Sequence, residues 1–439
     1  MAGLASGRRQ LLLLGCELLL FVHEGVHAAS AHYSIDLNGI ASGTAYTLTV
    51  DIGSTKGSGS SSSNAFRLIA DTGSSNDAVL GAGCCGSGAE VTYSCAASST
   101  CSDSGSGSVT LSFAGANIQG QFMTDEWHSD EIGDITKSFL VIEEQDTFYR
   151  STYDGITGLA YEALAASDGS IKSLYSVLVD TGKTTDSFGM LLCGTMQPML
   201  QTGGTDFSYH SGQLLIGGTE GTEGESYYSG DMFYTPITRE AWYVVTVSDI
   251  GYDGSSLGLT CDKYNDPQSI IDSGTSNLAF PSDVYNALMD QIKTATLSAI
   301  PDFDSTYFDD STSCCDEVYC DPTSSNAALL ELPSIYLTLG MQSSDGSTSK
   351  HFTVEIPPEY YWRPEMNGNN ASTPCRAIGI SEGTSTVLGD VFMDGLYSYH
   401  DRADGKIGLA VAHNCPNDVN STKKYDEEEE FVDNVYAVG

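Results

Sequence analysis

Leu68-Ile-Ala-Asp-Thr-Gly-Ser-Ser-Asn76 and Ser269-Ile-Ile-Asp-Ser-Gly-Thr-Ser-Asn277 repeat one arrangement 201 residues apart. Each places an aspartate directly after an apolar run, a glycine two residues on, a hydroxyl residue three on and an asparagine five on. The tripeptide Asp-Ser/Thr-Gly alone is weak evidence, because aspartate and glycine both favour turns. It also occurs at Asp103 and Asp180. Asp103 follows Cys101 in a serine- and glycine-rich stretch with no apolar strand before it, and Asp180 follows a helix-like run with Lys183 three residues on. Asp71 and Asp272 instead read as acids delivered by buried strands onto tight turns. Hydroxyl and backbone N–H groups around each carboxylate would hold it rigidly, and two such loops can meet face to face across a pseudo-twofold axis.

The chemistry follows from that proximity. Two carboxylates about 3 Å apart cannot both ionise, so they share one proton over a wide acidic range. The ionised member can deprotonate a water while the protonated member donates to a substrate carbonyl, giving a tetrahedral diol that collapses when the amine is protonated. Neither a metal nor a cofactor is required, and none is expected.

The rest of the chain narrows the class. Its 439 residues exceed one ordinary core, so two lobes are expected. The 58 acidic against 18 basic residues argue against nucleic acid and anionic lipid as partners. An acidic working compartment and a solubility device both account for that acidity. Arg8 and Arg9, the apolar run Leu11 to Val22, and small residues at Val26-His27-Ala28 or Ala29-Ser30-Ala31 read as a secretory signal over residues 1–31. No later run approaches the ~20 apolar residues of a membrane-spanning helix, and no span is expected within this chain. Twelve cysteines suit an oxidising route. The Cys84-Cys85 pair has no histidine nearby and reads as disulfide rather than metal chemistry. Asn370-Ala-Ser and Asn420-Ser-Thr are candidate glycosylation sites. Asp302, Asp304, Asp309 and Asp310 lack the spacing of a calcium loop.

Short alternating runs such as Tyr46-Thr-Leu-Thr-Val-Asp-Ile52, Val109-Thr-Leu-Ser-Phe113 and Trp242-Tyr-Val-Val-Thr-Val247 predict strands, punctuated by glycine and serine. Helical periodicity is confined to segments such as Ile171–Val179 and Ser282–Ile292. The stretch from Pro416, with the acidic run Asp426–Glu430, reads as a solvated tail. The fold is expected to be mostly β. A first lobe over 32–200 would carry Asp71, a second over 201–415 would carry Asp272, and a flexible acidic tail would occupy 416–439.

From Tyr46 to Cys415 the chain resembles the pepsin-like aspartic endopeptidases. Beyond the two motifs, Ile156-Thr-Gly-Leu-Ala-Tyr161 and Val387-Leu-Gly-Asp-Val-Phe392 resemble that family's apolar-apolar-glycine braces, with Thr157 as a polar intruder. Asp401-Arg-Ala-Asp-Gly-Lys-Ile-Gly-Leu-Ala410 resembles its closing strand. Ala78, where most pepsins have tryptophan, resembles the β-secretase branch. So do Cys261-Asp-Lys-Tyr-Asn265, Ile356-Pro-Pro-Glu-Tyr-Tyr-Trp-Arg-Pro364 and Met393-Asp-Gly-Leu-Tyr397. The resemblance implies a bilobal fold with an active-site cleft between pseudo-twofold lobes. It implies Asp71 and Asp272 as catalytic residues supported by Thr72, Gly73, Ser74, Ser273, Gly274 and Thr275. It also implies disulfides Cys193–Cys415 and Cys320–Cys375. Cys84, Cys85, Cys95 and Cys101 depart from that branch and are expected to form two local bridges. The partner that Cys261 would have is missing, leaving Cys314 or Cys315.

Other departures bear on activity. Aligning Ser112–Gln121 with the family's substrate-covering hairpin puts Phe113 at its tyrosine, beside Gly115, keeping an apolar wall but losing a hydroxyl. Slower turnover is expected rather than none. Tyr153 and Ile156 are candidates for the adjoining pocket, with ordinary core as the alternative. Ala279 stands where β-secretase has an arginine, so no preference for acidic side chains carries over. No lysine or arginine lies between Arg9 and Lys56, so a basic prosegment is not expected. The reading is a secreted or lumenal, monomeric aspartic endopeptidase acting on peptides or proteins. Its alternatives are a weakened pepsin-fold protein that binds peptides or inhibitors, and a structural glycoprotein that would leave the paired motifs unexplained.

Overall fold

The repeat in sequence is matched by a repeat in strand pairing. The computed structural model describes residues 32–39, 45–54, 64–85, 91–113, 116–148, 153–166, 171–194, 211–218, 227–308, 328–341, 350–366, 374–413, 415 and 424–428. In the first half, strand Tyr46–Ile52 pairs antiparallel with Ala65–Asp71, which runs parallel to Gly155–Gly158. Gly155–Gly158 in turn pairs antiparallel with Ala78–Leu80, which runs parallel to Gly133–Gln145. The second half repeats these four relations in order through Tyr243–Val245, Ser269–Ile271, Thr386–Leu388, Leu278–Phe280 and Ile380–Glu382. In each half the acid-bearing strand is an interior strand beside a parallel neighbour. Such strands are covered on both faces and read as unbroken apolar runs, and Leu68, Ile69, Ala70, Ile270 and Ile271 are all buried.

Between the halves lies a run of six strands, Tyr228–Pro236, Lys406–Ala412, Leu396–Asp401, Ser187–Leu192, Ser211–Ile216 and Tyr33–Gly39. It joins the first half's sheet through Asn38 and Gly39 to make 13 strands among the described residues. The expected lobe boundary at 200/201 falls outside the described residues. The sheet itself is not cut there, because Ser187–Leu192 pairs with Leu396–Asp401. A disulfide Cys193–Cys415, with Cα atoms 5.7 Å apart, links the segments just after Ser187–Leu192 and Lys406–Ala412. Cys84–Cys85 and Cys95–Cys101 are the two local bridges expected in the first half.

Helix Ser282–Ala299 buries Val284, Leu288, Ile292 and Thr296, one stripe at four-residue spacing. Each fully buried apolar side chain there contributes about 1.5–3 kcal/mol. The helix expected over Ile171–Val179 is shifted, running Leu174–Asp180, because the Ser173 side chain accepts from Ser176 N–H and caps it. The hairpin expected at Ser112–Gln121 is longer, pairing Ser102–Phe113 with Ala116–Ser129 and closing at Phe113 and Ala116. Within the stretch read as a flexible tail, Lys424–Glu428 forms a strand on the open edge of Lys350–Ile356. The acidic run alone did not reveal that unpaired backbone. The expected signal, residues 1–31, and the remaining tail lie outside the described residues. Among the described residues no helix is long and apolar enough to cross a membrane.

Candidate active site

The loops after the two acid strands grip each other through side chains that sit between the acids and the glycines. Thr72 Oγ1 donates to Ile271 O at 3.2 Å and accepts from Ser273 N–H at 2.9 Å. Reciprocally, Ser273 Oγ donates to Ala70 O at 2.6 Å and accepts from Thr72 N–H at 3.1 Å. Both residues are buried. Four bonds that cross the pseudo-twofold axis set one loop against the other, a constraint stronger than either turn supplies alone. Sequence reading placed Thr72 and Ser273 at the site but not in this exchange.

The exchange brings the carboxyls of Asp71 and Asp272 close enough for the charge of one to raise the pKa of the other. Gly73 N–H donates to Asp71 Oδ1 at 2.7 Å, and Gly274 N–H donates to Asp272 Oδ1 at 2.8 Å. The glycines are required by close approach, since a Cβ on Gly73 would overlap the Asp272 carboxyl and one on Gly274 would overlap that of Asp71. The two acids differ in their third support. Thr275 Oγ1 donates to Asp272 Oδ2 at 2.6 Å. Its counterpart Ser74 is buried near enough to Asp71 to hold its pKa down, but makes no hydrogen bond of good geometry. Burial, and then the charge of Asp272, nevertheless hold the Asp71 carboxyl well above the usual carboxylate range. The buried Asp390 carboxyl is also driven upward, first by burial and then by Asp394.

Each loop rests on its brace. A Cβ on Gly158 would strike the main chain of Ser74 to Asn76, and one on Gly389 that of Thr275 and Asn277. Arg363 Nη1 donates to Ser276 O at 2.9 Å and Asn277 Oδ1 at 3.0 Å, while Asn76 Oδ1 accepts from Ala166 N–H at 3.0 Å. The polar intruder Thr157 is answered by Asp77, whose Oδ1 accepts its hydroxyl at 2.8 Å. Asp77 was missed in the sequence, although aligning the two repeats sets it against Leu278 and would have shown a charge inside an apolar strand.

The other two Asp-Ser/Thr-Gly tripeptides do not join the site. Asp103 lies in strand Ser102–Phe113 and accepts from Gly105 N–H, and Asp180 ends helix Leu174–Asp180 in an ion pair with Lys172. Tyr153 and Ile156 are buried together with the hairpin residues Ile118 and Phe122, and Val109, Leu111 and Ala116 pack against that cluster. Phe113 ends the first hairpin strand. Gly115, Asn370, Asn420, Cys314, Cys315 and Cys320 lie outside the described residues, as does the side chain of Cys375, and with them the Cys320–Cys375 bridge. Cys261 carries a free, exposed thiol. Among the described residues no group of three or more His, Cys, Asp or Glu side chains is arranged to hold a metal ion.

Comparison with known proteins gives the family. A model of the eukaryotic aspartyl protease family matches residues 45–412. A beta-secretase of Strongylocentrotus purpuratus is 28% identical over 389 residues, covering 85% of this chain and 67% of the relative. A gastricsin of Cavia porcellus is 26% identical over 70% of this chain and 66% of its own. A cathepsin D of Clupea harengus is 27% identical over 79% and 77%. The chain thus spans about two thirds of the length of the first two relatives.

Proposed function

The chain belongs to the eukaryotic aspartyl protease family and is an aspartic-type endopeptidase, and we propose that it hydrolyses peptide bonds with a water activated between Asp71 and Asp272. The observation that carries the mechanism is the close approach of those two carboxyls, each packed against the other loop's glycine, at 4% and 9% exposure. Asp272, held by Thr275 Oγ1 and Gly274 N–H, takes the proton from water. Asp71, kept protonated by burial and by its neighbour's charge, donates to the carbonyl oxygen. The resulting diol returns a proton to Asp71, and Asp272 passes the proton taken from water to the amide nitrogen, which breaks the C–N bond and leaves an amine and a carboxylic acid with both acids in their starting states. The apparent titration belongs to the pair.

Thr72, Gly73, Ser74, Ser273, Gly274 and Thr275 act in this reading as supports. The hairpin closing at Phe113 and the cluster around Tyr153 and Ile156 form the apolar side of the cleft. The protein works as a monomer in the secretory route, secreted or in an acidic lumen. The three bridges among the described residues and the acidic composition support that placement.

Purified protein assayed against a mixed peptide library from pH 3 to 7, with and without a statine-type inhibitor, tests the reading. Inhibitor-sensitive cleavage at acid pH is expected, and Asp71→Asn and Asp272→Asn should each abolish it. An unchanged rate in either variant refutes the mechanism. Inhibitor binding without any cleavage would instead identify a peptide-binding protein.

A further inference from the structure

The two half-sites match in strand pairing but not in what fills the space behind them. In the second half, Leu278 pairs with Leu388, the residue before the brace glycine, and both are fully buried. The corresponding pair in the first half is Asp77 and Thr157, with Lys137 reaching in from strand Gly133–Gln145. All three are buried, and the Asp77 and Lys137 side chains are 0% exposed. One half therefore closes with an apolar contact and the other with a charge cluster.

The Asp77 carboxylate is saturated with donors. Oδ1 accepts from Thr157 Oγ1 at 2.8 Å and Gly158 N–H at 3.1 Å, and Oδ2 from Leu174 N–H at 2.7 Å and Lys137 Nζ at 2.7 Å. Lys137 also donates to Ser138 O at 2.8 Å and lies 4.3 Å from the Trp127 ring centroid. Asp77 thereby joins the brace, the start of helix Leu174–Asp180 and the strand that continues from the long hairpin. Gly158, held by Asp77, is the residue pressed against the main chain of Ser74 to Asn76, just after Asp71. A charged buried network of this kind is rigid when every member is satisfied, whereas an apolar contact between leucines leaves sliding freedom.

We infer that Asp77, with Thr157 and Lys137, positions the Asp71 loop for the reaction. The inference rests on the endopeptidase reading above and assigns these residues no contact with substrate. They act through Gly158, so their loss should lower turnover without loosening substrate binding.

Thr157→Val tests this gently, because it keeps the side-chain volume and branching and removes one hydroxyl. Active sites are counted by titration with a tight-binding statine-type inhibitor, and kcat and KM are measured on a peptide that the wild type cleaves. Expected is a fall in kcat per titrated site on the order of tenfold, as for a small misplacement of reacting groups. KM should stay within about twofold, and Thr157→Ser should restore kcat. A purely structural role would reduce the number of titrated sites and leave kcat per site unchanged, which overturns the inference. So would a Thr157→Ser variant as slow as Thr157→Val, or a change confined to KM. A wild type that cleaves nothing fails the endopeptidase reading itself, and this inference with it. A normal wild type beside an unaffected Thr157→Val fails only the inference.

Discussion

His400 gives the protein a built-in sensitivity to acid. It lies in strand Leu396–Asp401 at 0% exposure, its ring centroid 4.5 Å from that of Phe188 and 4.6 Å from that of Tyr243. Neither ring nitrogen has a partner among the described residues. Burial pushes its pKa down from 6.5 to about 3, and the nearby Arg402 guanidinium pushes the same way. In the unfolded chain the ring charges below its ordinary pKa, while in the folded protein it stays neutral until about 3. The unfolded state therefore binds a proton that the folded state refuses. The stability present above 6.5 is lost at about 1.4 kcal/mol per pH unit as pH falls toward 3. At pH 4 the loss is about 3 kcal/mol, a large fraction of a typical folding free energy of about 5–15 kcal/mol. Phenylalanine fits the same aromatic surroundings and does not titrate. His400→Phe, made beside its parent in an Asp272→Asn background to suppress autolysis, is unfolded in urea at pH 7, 5 and 4. The parent should lose about 3 kcal/mol more than the variant between pH 7 and 4. Parallel stability–pH curves for the two proteins would refute the assignment of a buried, neutral histidine.

Gly73→Ala and Gly274→Ala should each abolish cleavage, since the added methyl occupies the space of the opposite carboxyl. Full activity in either would mean that the acids lie farther apart. Thr275→Val removes the 2.6 Å bond to Asp272 and should cost about 1.5–3 kcal/mol of transition-state stabilisation, read as roughly ten- to hundredfold in kcat/KM. Because Asp71 is held above the usual carboxylate range, the alkaline limb of the kcat/KM profile should fall at higher pH than a free carboxyl would give. A limb at the ordinary carboxylate pKa of 3.8 would contradict it. Replacing Cys193 and Cys415 together by serine opens a 222-residue loop and should lower stability by about 2–5 kcal/mol in denaturant unfolding. Lys137→Met strands the buried Asp77 charge and should cost about 3–5 kcal/mol, measured the same way.

The acids were legible in the chain because their signal is local. An apolar strand, a turn glycine and a hydroxyl follower sit within nine residues, and their repetition singled out Asp71 and Asp272 from four similar tripeptides. Strand-rich architecture, the helix at Ser282 and the two local bridges came from short-range pattern in the same way. Contacts between distant residues were not legible, because no local propensity encodes them. Thr72 and Ser273 exchange bonds across 201 residues, and Asp77 meets Lys137 and Leu174 only after three elements have packed. The unequal support of the two acids is tertiary as well. It depends on burial and on Thr275 reaching its acid where Ser74 does not, two similar hydroxyls placed differently by the surrounding main chain. Local chemistry named the candidate acids, and packing decided how close they stand and what holds each of them.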